Sequence, residues 1–266
     1  MRQARLRDGV RADRCGSAVT ERQLFDAVAA DYDAYRPDYP AQLFDALESA
    51  MGQPLLWSSV CDVGAGTGIS SRALAGRGAT VTAVEPGIDA LRVLRARSTS
   101  RVRAVVGDGN ALPLAGGQFD LVSYAQSFHW TDPDRSVAEA FRVLKPGAVL
   151  ALWWNQHDQS VQWLHEHDRR VFAACGTTSH AADSWTADLL AGEPWNRKVA
   201  TVEIPWSRQV TMADYGRNLM TKSYVFALGP EGAAEVVEAE LAELGPMHPS
   251  GVMDEPFVTY AVFARN

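Results

Sequence analysis

With 266 residues and a formal net charge of −7, the chain lacks the general basic face on which nucleic-acid phosphates are held. Its 47% hydrophobic and 21% charged residues suit a globular protein that buries a sizeable core, and no uninterrupted apolar run is long enough to span a bilayer. Three scattered cysteines, Cys15, Cys61 and Cys175, offer no Cys-x-x-Cys spacing for zinc or redox work, so a cytoplasmic protein with reduced thiols is expected.

Residues 1–20 are expected to be a disordered leader. Arg2, Arg5, Arg7, Arg11 and Arg14 stand there against only Asp8 and Asp13, with little apolar area to offset the entropy of ordering. From Gln23 to Ala34 the apolar residues recur at three and four, the period of an amphipathic helix. Pro37 and Pro40 forbid its continuation. A second helix over Gln42 to Met51 leads into an apolar run from Leu55 to Val63, read as a strand.

Beyond a glycine-rich turn, the pattern predicts a helix over Ser70 to Leu74, a strand over Thr80 to Val84, a helix over Ile88 to Ala96 and a strand over Val102 to Val106. A strand over Phe119 to Ala125, a helix over Val137 to Leu144 and a strand over Ala148 to Trp154 follow. Strands alternating with helices at this spacing indicate βαβ units and a parallel sheet covered on both faces. Residues 21–155 are therefore expected to form a Rossmann-like core. Residues 156–198, with a helix over Val161 to Ala174, are read as an inserted cap. Residues 199–266, with strands over Val199 to Trp206 and Phe257 to Ala264 and a helix over Glu231 to Leu244, would complete the core. The fold class is α/β: a doubly wound, mostly parallel sheet of seven strands with a cap.

The turn after the first strand reads Val60-Cys-Asp-Val-Gly-Ala-Gly-Thr-Gly-Ile69. A dinucleotide fingerprint needs Gly-x-Gly-x-x-Gly, but here the third glycine comes one residue early and Ile69 occupies its place. No Lys-Ser or Lys-Thr follows, so the phosphate-binding loop of nucleotide hydrolases is also disfavoured. With Asp62 in front, the stretch resembles motif I of the class I S-adenosylmethionine-dependent methyltransferases. The resemblance continues through Glu85, Asp108, Phe119-Asp-Leu-Val122 and Leu144-Lys-Pro-Gly147, covering roughly residues 23–155. Tyr32, Arg36-Pro37, Tyr39-Pro40 and Ser127-Phe-His-Trp130 resemble the small-molecule branch that includes trans-aconitate methyltransferase-like proteins.

This resemblance implies S-adenosylmethionine as the cofactor and a small-molecule acceptor as the partner. Gly64, Gly66 and Gly68, with Ala65, would bring bare backbone against the cofactor. Glu85, 17 residues beyond Gly68, would accept both ribose hydroxyls. Asp108 would accept from the adenine amino group, with Gly109, Asn110 and Ala111 offering backbone groups to the ring. Asp62 would orient the loop or take the cofactor's ammonium, and Tyr32 and Arg36 would close over its methionine end, with Arg36 pairing its carboxylate. Pro86 and Gln126 complete the expected cofactor set.

The expected acceptor pocket is Phe128, His129, Trp130, Trp153, Trp154 and Asn155, with His129 the candidate base and His157 a second. No metal is expected. On a helix His165 and His167 point to different faces, and His165-Glu-His-Asp168 is read as a solvated face. The rival readings are a binder that keeps S-adenosylmethionine without transferring methyl, and a nicotinamide-dependent oxidoreductase.

Overall fold

A computed structural model of the chain describes residues 29–177 and 185–266. The expected leader, and the first turns of the helix expected from Gln23, lie outside them. Seven strands form one sheet: β1 (Ser59–Val63), β2 (Thr80–Glu85), β3 (Val102–Val106), β4 (Phe119–Ala125), β5 (Leu144–His157), β6 (Val199–Thr211) and β7 (Val252–Arg265). Their order is β3-β2-β1-β4-β5-β7-β6. β1 to β5 run parallel, while β7 pairs antiparallel with both β5 and β6. The order reverses between β1 and β4, and ligands of open α/β sheets bind outside the strands' carboxyl ends at such a reversal.

Helices α1 (Ala29–Tyr35), α2 (Ala41–Met51), α3 (Ile69–Gly76), α4 (Ile88–Arg97), α5 (Pro133–Val143), α6 (Gln162–Ala174) and α7 (Trp185–Ala191) precede β6. Three more, α8 (Met212–Met220), α9 (Ser223–Phe226) and α10 (Gly229–Leu244), lie between β6 and β7. One apolar core joins α2 and α3 to the sheet through Leu43, Leu47 and Leu74. Another, around Tyr124, Phe141 and Leu190, lies under α5 and α7. Both faces of the sheet are thus covered, as a parallel sheet requires. No helix of the described residues is long and apolar enough to cross a membrane.

Three features differ from the sequence pattern. Leu55 to Ser58 is a turn, with Trp57 in the left-handed region (φ 68°) and its N–H donating to Gly78. β6 continues past Trp206 to Thr211, paired with β7 throughout. The segment 156–198 does not act as one unit: α6 packs with α8 to α10 around Val171, Leu219 and Val237, whereas α7 packs on the sheet.

Helix α1 is fastened on two sides. Asp33, its side chain wholly buried, accepts from Arg72 of α3 at 2.8 Å and from Arg97 of α4. On the other side Arg208 of β6 donates to the Tyr35 carbonyl (2.9 Å) and Arg217 of α8 to the Tyr35 hydroxyl (2.6 Å). Arg36, just past the helix, donates to the Thr221 carbonyl (3.0 Å).

Candidate active site

β1 delivers the chain to Gly64, whose N–H, with that of Ala65, donates to the Val84 carbonyl (2.8 and 3.1 Å) and ties the turn to β2. Gly64, Gly66 and Gly68 have φ of 66°, 56° and 90°, a region that side chains with a Cβ disfavour. The turn approaches β4 so closely that a Cβ on Gly64 would fall 2.5 Å from Ser127 Cβ. Ser127 holds that position by donating to the Val63 carbonyl at 2.6 Å.

Asp62 supports the turn from beneath. It is wholly buried and accepts from Ser71 (2.6 Å), Ser123 (2.7 Å) and Ser70 (3.4 Å), binding β1, β4 and the start of α3 together. Burial raises its carboxyl to about 6, against the opposing effect of those three hydroxyls. The unfolded group ionises near 3.8, so between about pH 4 and 6 the folded state binds the extra proton. The contribution of Asp62 to stability therefore falls as pH rises through that window. Asp62→Asn cannot ionise there, and it should gain on the wild type by about 2 to 3 kcal/mol between pH 4 and 6.5 and then level off. Urea unfolding across that range checks this; a pH-independent difference would mean an unshifted Asp62.

At the end of β2, Glu85 accepts from Gly66 N–H (2.9 Å) and Gly87 N–H (2.8 Å). Its carboxylate joins the glycine turn to the start of α4. At the end of β3, Asp108 accepts from Asn110 N–H (2.9 Å). These strand ends surround a cavity of about 300 Å³, a size that holds small ligands.

Of the expected cofactor residues, Tyr32, Gly64, Ala65, Gly66, Glu85, Pro86, Asp108, Gly109 and Gln126 line the cavity. Asp62, Gly68, Asn110 and Ala111 stand behind the wall. Asn110 accepts from Asp132 N–H, Ala111 N–H donates to the Asp108 carbonyl, and the Asp62 carboxyl faces its serines, which argues against contact with a ligand ammonium. Arg36 stacks on Tyr32 at 4.6 Å, off the cavity. Sequence reasoning did not assign Tyr39, Thr67, Tyr124, Ser127 and Thr131, which also line it. The aromatic pair Tyr32 and Tyr39, on either side of Pro37, was the available signal.

The expected acceptor pocket is mostly redistributed. Trp130 lines the cavity and is 44% exposed. Phe128 is buried against Tyr124 just after β4; Trp153 and Trp154 are buried because β5 runs three residues beyond Trp154, so that the two tryptophans lie inside the sheet, one on each face. Asn155 is held by Asp38 and Thr259. His129 is outside the lining, and its Nδ1 accepts from Trp154 Nε1 at 3.3 Å. That bond puts the ring proton on Nε2, leaving neither nitrogen a vacant acceptor in this geometry. In this structure His129 is thus a partner of Trp154 and stands outside the cavity lining.

His167 and Asp168 are not a solvated face. His157, on β5, lies 2.8 Å from Asp168 and 3.3 Å from Glu255. Burial opposes its imidazolium, yet these carboxylates raise its pKa above the ordinary value. His167 is buried between Tyr215 (2.8 Å) and Glu240 (3.0 Å). His157, His167 and Asp168 can bring one atom each within 4.8 Å of one another, but their ring nitrogens all face protein groups. His165 and Glu166 remain outside, bonded to Gln159 and Gln162.

A glycine turn, a carboxylate ending the second strand and an acid ending the third, at the reversal of an open sheet, define a Rossmann-like architecture, in which such a crevice is the place for a ligand. Residues 61–152 match the family described as methyltransferase domain. The chain is 32% identical over 231 residues to an uncharacterised methyltransferase-like protein of Schizosaccharomyces pombe, a match covering 85% of this chain and 88% of that protein. It belongs to the methyltransferase family.

An uncharacterised methyltransferase of Mycobacterium tuberculosis H37Rv is 39% identical over 142 residues, 53% of this chain and 56% of its relative. The chain thus spans little more than half the length of that curated relative. Among solved structures, a candidate type II methyltransferase from Anaeromyxobacter dehalogenans has the same fold, with a TM-score of 0.63, 24% identity and coverage of 87% of this chain and 97% of that one.

Proposed function

We propose that this protein moves the methyl group of S-adenosylmethionine to a small-molecule acceptor by in-line displacement. The supporting observation is that the glycine turn, Glu85 and Asp108 converge on one cavity at the sheet reversal. The residues fit that cofactor: a Cβ on Gly66 would project into open space, so the turn presents bare backbone, and Glu85 stands at the wall where ribose hydroxyls need an acceptor. Asp108 and Gly109 would hold the adenine edge.

When bound, the cofactor supplies a sulfonium methyl that is already activated. The protein's task is then to position and to exclude water. Alignment of reactants can supply about 7 to 11 kcal/mol of barrier reduction. Tyr32, Tyr39, Tyr124 and Trp130 bring aromatic surface to the cavity, which shields it from solvent and suits a cationic sulfur. An acceptor with its own lone pair needs no base. The chemistry suits a cytoplasmic setting, where the cofactor is available.

Calorimetry with S-adenosylhomocysteine, then incubation with methyl-labelled S-adenosylmethionine and a panel of acids, phenols and amines, tests this reading. Saturable binding and label in a small-molecule product are expected. Binding without transfer across the panel would favour a protein that retains the cofactor, and nicotinamide binding in its place would overturn the assignment.

A further inference from the structure

The C-terminal helices meet the ends of β5 and β7 around two histidines that methyl transfer does not call upon. His157 ends β5, while His167 and Asp168 come from α6. His167 is buried, only 9% of the His157 side chain is exposed, and the two ring centroids lie 5.6 Å apart.

Each ring has an inner and an outer nitrogen. On the inner side, His157 Nδ1 lies 2.8 Å from Asp168 Oδ1, and His167 Nε2 lies 3.9 Å from the same oxygen and 2.8 Å from the Tyr215 hydroxyl of α8. On the outer side, His157 Nε2 faces Glu255 of β7 at 3.3 Å and His167 Nδ1 faces Glu240 of α10 at 3.0 Å. Each outer carboxylate is held in turn by a guanidinium, Glu255 by Arg208 and Glu240 by Arg170.

A histidine that ligates a metal gives one nitrogen to the ion and its other N–H to a carboxylate, which fixes the tautomer and raises the ring's basicity. Here that arrangement occurs twice around one shared acid. Ligands placed about 2.0 to 2.2 Å from a tetrahedral ion stand about 3.3 Å from one another, a spacing that the inner separations of 2.8 and 3.9 Å straddle. The three donor atoms all lie within 4.8 Å of one another, an opening that side-chain torsions can close. Burial opposes a charged His157, yet Asp168 and Glu255 raise its pKa, so this spot favours positive charge, whether carried by a proton or by an ion.

We propose that His157, His167 and Asp168 bind one divalent transition-metal ion of the zinc class, with the fourth position on the Tyr215 side. Two imidazole nitrogens and one carboxylate oxygen suit zinc and its neighbours, whereas calcium and magnesium take oxygen ligands. The ion ties β5 to α6 and acts as a structural clamp. Arg208 carries the clamp towards the cofactor cavity, because it holds Glu255 and also donates to the Tyr35 carbonyl of α1. The site is independent of the methyl acceptor's identity.

The test uses the full chain without a histidine tag, stripped with EDTA and titrated with zinc against a chromophoric chelator. One equivalent per chain is expected to bind. His157→Gln and Asp168→Asn should each weaken it at least about tenfold, while His165→Gln, on the same helix but bonded to Gln159 outside the cluster, should stay within twofold. No stoichiometric binding, undiminished binding in both cluster variants, or an equal loss in His165→Gln overturns the site. Circular dichroism checks that the metal-free variants fold. Where one does not, cobalt bound to the wild type decides: intense visible bands of a four-coordinate ion support the site, and the faint bands of a six-coordinate ion overturn it.

Discussion

Gly64→Ala is expected to lose about 2 to 5 kcal/mol of stability and to abolish measurable cofactor binding. Two costs combine. The residue must hold φ at 66° with a side chain, and its Cβ would sit 2.5 Å from Ser127 Cβ and 2.9 Å from Ser127 Oγ. Ser127 cannot retreat without breaking its bond to the Val63 carbonyl, so the floor of the cavity must shift. Gly66→Ala separates the two costs. Nothing lies within 4 Å of its added Cβ, so it should lose only about 1 kcal/mol through backbone strain while still weakening the cofactor by crowding the cavity. Urea unfolding and calorimetry on both variants check this; equal stability of the two would show that contact with Ser127 carries no weight.

Glu85→Ala is expected to weaken S-adenosylhomocysteine by about 100-fold, corresponding to roughly 3 kcal/mol for charge-assisted hydrogen bonds lost to the ribose. The carboxylate also holds the turn by accepting from Gly66 and Gly87, so part of the loss would come from a slack turn. Glu85→Gln retains one acceptor oxygen and most of the shape, and an intermediate loss is expected. Unchanged affinity in Glu85→Ala, measured by calorimetry, would sink the ribose assignment.

The cavity wall was legible because its geometry is local. Strand, turn and helix follow at fixed spacing from Val60 to Ala125, so residues named from strand ends meet at the carboxyl end of the sheet, and Glu85, Asp108 and Gly109 reach the same cavity. The acceptor side was not legible. Trp153 and Trp154 were placed at a strand end, but β5 continues to His157, and three residues of extra strand turn a pocket into a core. His167 and Asp168 were read as a solvated face because their helix was considered alone. Tyr215 and Glu240, the partners that bury His167, come from 48 and 73 residues further along, on α8 and α10. Of these, α8 has a repeat too short to stand out beside a long strand.

The double fastening of α1 bears on tempo. Ala29 and Tyr32 of that helix form part of the cavity wall, while Asp33 grips Arg72 and Arg97 on one flank and Tyr35 is gripped by Arg208 and Arg217 on the other. If spent cofactor leaves past this wall, Asp33 must part from its guanidinium groups, and such a step would be slow beside displacement at an aligned sulfonium. Steady turnover would then be paced by departure of S-adenosylhomocysteine. A rapid first round of methyl transfer followed by a slower steady rate is the signature, and Asp33→Asn should shorten the gap between the two.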